Sequence, residues 1–109
     1  MALNNGRIKQ VTQITSASTA VEANGYEAIV TTVALTTAAG ASETFTINND
    51  KVKRISQIQL TMQYSGTQGI PVARVKSQSK GLIEVMISNA DAALALNALA
   101  KVHVQVVHN

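Results

Sequence analysis

Two histidines, six carboxylates and nine basic side chains are the titratable chemistry of this chain besides its two tyrosines, and it has no cysteine. His103 and His108 stand five apart, an odd separation that sends them to opposite faces of a shared strand. A metal site needs converging ligands, and no thiolate is present to complete one. The pair therefore reads as two exposed histidines near the C-terminal end. Glu22, Glu27, Glu43, Asp50, Glu84 and Asp91 are scattered, and all but Glu84 fall in or beside predicted turns. Glu84 sits between Ile83 and Val85 on a largely apolar strand. A buried carboxylate there would be of catalytic interest, but an outward-facing strand carboxylate is the commoner arrangement. No phosphate-cradling loop, nucleophile elbow or HExxH pattern occurs. The residues point away from an enzyme, and no catalytic, metal or cofactor-binding residue is expected.

The basic residues offer a second possibility. Lys51 and Lys53 share one strand parity, as do Arg74, Lys76 and Lys80. Such spacing can lay a stripe along a sheet and engage phosphates. Single-stranded nucleic acid also wants stacking platforms, and Tyr26, Phe45 and Tyr64 are the only aromatics. Lysines on edge strands have another use, blocking edge-to-edge pairing of sheets. A net charge of +3 is milder than a dedicated nucleic-acid binder carries. Nucleic acid is not the expected partner.

A chain of 109 residues allows one domain. Only 14% of it is charged, about half the usual share, yet Val, Ile, Leu and Phe number 29, enough for a thin aliphatic core. Without cysteine no disulfide can staple that core, and oligomerisation is a common substitute. Ser, Thr, Asn and Gln number 35, so the outward strand faces carry neutral polar groups more than charges. Such groups cost less to desolvate than charges, and charges are depleted at interface centres. The exterior suits being covered by protein. The longest apolar run, Ala92 to Leu96, is far short of a membrane span. The first residues lack an apolar signal core, so a product assembled in the cytoplasm is expected.

The elements that position these groups are short strands. The clearest is Gln57 to Tyr64, with Ile58, Leu60, Met62 and Tyr64 on one face and Gln57, Gln59, Thr61 and Gln63 on the other. Leu82 to Ile87 is nearly apolar on both faces and suits a strand covered on both sides, with Ile83, Val85 and Ile87 as core. The last strand turns Val102, Val104 and Val106 inward. Further strands are expected over Ala28 to Thr36, Thr44 to Ile47 and Val72 to Ser77. Pro71, which has no amide donor, belongs at a strand start or an edge. Asn24-Gly25, Asn48-Asn49-Asp50, Lys80-Gly81 and Asn89-Ala90-Asp91 are turn signals. Ala92 to Leu99 reads either as a short helix capped by Asp91 or as a loop into the last strand. Residues 1–20 read as an N-terminal arm, with or without one short strand, ahead of a domain over 21–109. Seven or eight short strands with Gly, Asn and Ser turns make an all-β antiparallel sandwich or barrel.

From Ser42 to Asn109 the chain resembles a known family. The resemblance rests on Glu43 to Asp50, Gln57 to Tyr64, Ser65 to Pro71, Gly81 to Asn89, and the Ala-rich Ala92 to Asn97 ahead of the valine strand. These segments are similar to the small head decoration, or cement, proteins of tailed bacteriophages. The resemblance implies a jelly-roll-like β-sandwich without cofactor or reaction. It implies a structural virion protein on the outer capsid surface, bridging neighbouring major capsid subunits as a dimer or trimer. An arm would extend such an interface, which makes Arg7, Lys9, Val11 and Ile14 the capsid-contact candidates. The alternative is the coat protein of a single-stranded RNA phage, which forms the shell itself and binds RNA. Those proteins end in interlocking helices, whereas Val102 to Val107 alternates like a strand.

Overall fold

The computed structural model describes residues 8–107. Eight strands fill that span, with no helix among the described residues. They are β1 (Lys9–Thr12), β2 (Val21–Glu22), β3 (Glu27–Thr31), β4 (Ser42–Asn48), β5 (Gln57–Tyr64), β6 (Pro71–Ser79), β7 (Leu82–Asn89) and β8 (Ala100–Val107). Two four-stranded sheets, ordered β1-β3-β8-β5 and β2-β4-β7-β6, pack against each other as a β-sandwich. Every connection except the β6–β7 hairpin crosses from one sheet to the other.

Pairings among the longer strands are antiparallel: β3 and β5 on β8, β4 and β6 on β7. The first two strands instead pair in parallel, β1 with β3 and β2 with β4. This departs from an all-antiparallel reading for a topological reason. The early chain reverses direction each time it changes sheet, so strands two apart in sequence run the same way. β1 then meets β3, and β2 meets β4, within one sheet.

Alternation builds the core. Ile83, Val85 and Ile87 from β7 are buried, as are Val102, Val104 and Val106 from β8. Between them lie Phe45 and Ile47 of β4, Ala28 and Val30 of β3, and Leu35, Val52 and Leu96 from the connections. Each buried Val, Leu, Ile or Phe contributes about 1.5–3 kcal/mol through removal from water. Ile58, Leu60, Met62 and Tyr64 face the core but are only half-buried, because β5 is an edge strand. The outer face of β7 is half-buried between β4 and β6. There Glu84 Oε1 accepts a 2.5 Å hydrogen bond from Ser77 Oγ. Pro71 opens β6, an edge strand, so its missing amide costs no ladder bond.

The described part of the expected arm is tied to the domain. β1 extends the sheet beside β3, and Val11 packs half-buried against the core. Gln13 is buried. Its backbone N–H donates to Thr31 O at 2.9 Å, and its side-chain Nε2 donates to Thr19 O at 3.0 Å. Its Oε1 accepts from Val33 N at 3.3 Å.

Ala92 to Leu99 is a loop. Asp91 Oδ1 accepts from the backbone N–H of Ala93 at 2.8 Å and of Leu94 at 3.2 Å, as a helix cap would. No helix follows, because the backbone finds other partners: Leu96 N donates to Thr37 O and Leu35 N donates to Ala98 O.

Candidate functional site

The strand directions sort the connections into two ends. One end gathers residues 13–20, 32–41, 65–70 and 90–99; the other gathers 23–26, 49–56 and the Lys80-Gly81 turn. Their chemistry is opposite. The four connections of the first end carry one charge between them, Asp91. The second end concentrates Asp50, Lys51, Lys53, Arg54 and Lys80 in far fewer residues. The first is the neutral end and the second the basic end.

A buried asparagine organises each end. Asn89 is 2% exposed and uses its whole amide. Its Nδ2 donates to Leu94 O at 2.8 Å and Thr37 O at 3.0 Å. Its Oδ1 accepts from Asp91 N at 3.0 Å and Ile70 N at 3.1 Å. One side chain thereby joins three of the four neutral connections. Asn49, 1% exposed, does the same at the basic end. Its Nδ2 donates to Gly25 O at 2.7 Å, and its Oδ1 accepts from Gly25 N at 3.1 Å and Lys51 N at 3.0 Å. Gly81 has φ +86, a conformation L residues rarely adopt, and its N–H donates to Val52 O at 2.9 Å. That bond draws the lysine loop to the β6–β7 turn.

Apolar side chains are exposed at both ends, Tyr26 and Ile55 at the basic end and a larger number at the neutral end. Ile14, Ile70, Leu94 and Leu99 are exposed there, Ile14 to 85%, and Val72 is exposed two residues into β6. The loops beneath are braced. Asn97 N donates to Tyr64 Oη at 2.7 Å, and Tyr64 Oη donates to Gln68 O at 2.7 Å. Gly69 has φ +89, and a Cβ there would run into Leu96. Bonding to the Ala93 and Leu94 amides holds the Asp91 carboxyl below the usual carboxylate range. A low-charge surface with exposed aliphatics on braced loops is inexpensive to desolvate.

The four contact candidates fare differently. Arg7 lies outside the described residues. Lys9 is exposed on β1. Val11 is half-buried and packs against the core. Ile14 is presented, at the neutral end. Ile70, Leu94 and Leu99 were not legible as a group, because only the fold brings their loops together. Asn49 and Asn89 did leave a signal. They continue the inward parity of Phe45-Ile47 and of Ile83-Val85-Ile87, which puts each on the core face where its strand ends.

The basic residues also converge. Lys51 lies over the Tyr26 ring, 5.6 Å from its centroid. Gln78 of β6 donates to Lys53 O at 3.0 Å and Ser56 O at 2.8 Å, bringing the lysine loop against the strand that carries Arg74 and Lys76. On the outer face of the β8 sheet, Ile8, Glu27, Ile29, Gln59, Thr61 and His103 line a half-open cavity of ≈ 230 Å³. His103 Nε2 is buried there with no hydrogen-bond partner. His108 lies outside the described residues, and among those described no cluster of three metal-ligating side chains occurs. No described helix is long and apolar enough to cross a membrane.

No family model, curated protein or solved structure matches the chain.

Proposed function

We propose that this chain is a structural virion protein, a decoration protein that binds the outer surface of a phage capsid. In this reading it bridges neighbouring major capsid subunits as a homo-oligomer, stabilises the head, and uses no cofactor and no reaction. The observation that carries the reading is the neutral end: four braced connections, one charge, and exposed Ile14, Ile70, Leu94 and Leu99. A ligand that binds only the assembled shell stabilises it by linkage. Many copies on a symmetric lattice let a small contact count repeatedly. The test is co-sedimentation with undecorated heads. Saturable pelleting at micromolar concentration is expected, and protein that stays in the supernatant overturns the reading.

One observation favours the second reading, an RNA-binding coat protein: the convergence of Lys51, Lys53, Arg54 and Lys80 at the opposite end. That reading requires nuclease-sensitive particles when the protein is expressed alone.

A further inference from the structure

The four sheet edges of the sandwich are unequally protected. β1 is four residues long and carries Lys9, and β2 is two residues long. β6 is long, but Pro71 opens it, a bulge breaks its register between Val75 and Ser77, and Arg74 and Lys76 stand exposed along it. Short length, proline, bulges and basic side chains are the devices that keep edges from pairing. β5 has none of them. Its register with β8 runs unbroken from Gln57 to Tyr64, with no bulge, proline, glycine or charge. Among the described residues no strand pairs with its other side.

We propose that the free edge of β5 pairs antiparallel with β5 of a second copy, joining two sheets into one of eight strands about a twofold axis. The sequence of β5 is self-complementary in either in-face register. With the axis at Leu60, Gln57 faces Gln63 and Ile58 faces Met62. With the axis at Thr61, Gln59 faces Gln63 and Leu60 faces Met62. Neutral polar side chains meet neutral polar ones and apolar meet apolar, with no like charges opposed, as an isologous contact needs. The half-exposed inner row, Ile58, Leu60, Met62 and Tyr64, gains cover from its counterpart. A second copy is preferred over a foreign strand because no charge along β5 selects one. The pairing is independent of what the neutral end binds.

Sedimentation of the full chain with Gln59→Lys/Thr61→Lys tests this. The double substitution sets like charges directly opposite in either register, on the solvent face and away from the core. The unaltered protein is expected to be a dimer, and the variant a monomer with the same melting temperature within a few degrees. A wild-type monomer or trimer at hundreds of micromolar, or a dimer that survives both lysines, overturns the proposal. Amide exchange on the unaltered protein gives a reading free of any folding defect in the variant. Protection along β5 should rise with protein concentration while that of β7 stays constant; concentration-independent protection of β5 overturns the proposal.

Discussion

Asn89 and Thr37 are both buried and polar, yet their side chains contribute in opposite senses. The Asn89 amide makes four hydrogen bonds to three connections. Asn89→Ala takes the side-chain partner from Leu94 O, Asp91 N and Ile70 N, while Thr37 O keeps its bond from Leu96 N; a group left buried and unpaired costs about 1–3 kcal/mol. We expect urea denaturation to show a loss of about 3 kcal/mol, tempered by water entering the site. Thr37 Oγ1 is buried without a partner, while its backbone carbonyl is the one Asn89 uses. Thr37→Val removes an unsatisfied hydroxyl at nearly constant volume and is expected to be neutral or to stabilise by up to about 1 kcal/mol. Asp91 adds a pH dependence at the same end. Its folded-state pKa is lowered, so its contribution is present above the ordinary carboxylate range and is lost as pH falls through the folded value. An NMR titration should place the Asp91 midpoint below that of a free aspartate, and amides 93 and 94 should lose protection on acidification. An unshifted midpoint contradicts the bonding.

At the scale of elements, legibility followed the strength of local pattern. Eight residues of strict alternation defined β5 at its observed ends, and Val102, Val104 and Val106 marked β8. β2 was not legible, because a two-residue strand exists only by virtue of β4 beside it. Asp91 supplied a helix cap, but tertiary partners on residues 35–37 took the amide and carbonyl that a helix would have used. β1 is the element whose role changed most. Read alone, residues 1–20 look like a free arm; in the fold, β1 covers the edge of β3 and Gln13 bonds to both flanking connections. Deleting residues 2–13 should therefore lower the melting temperature by several degrees, because it uncovers β3 and orphans Val33 N. An unchanged melting temperature would show that this segment is dispensable to the sandwich.

The whole molecule is a two-ended sandwich. The low charge seen in the composition is not spread evenly: it leaves one end almost uncharged and gathers lysines at the other. That polarity could not be read along the chain, because the four low-charge connections fall at one end only once the strand directions are set. It separates the two functional readings, since a shell contact belongs to the neutral end and a polyanion contact to the basic end. The most direct measurement is co-sedimentation with undecorated phage heads, comparing Ile70→Lys/Leu94→Lys with Lys51→Gln/Lys53→Gln/Lys80→Gln. All five sites are exposed or in the turn, so both variants should fold. The first variant is expected to stay in the supernatant while the second pellets like the unaltered protein. Retention by the first variant and loss by the second would contradict it.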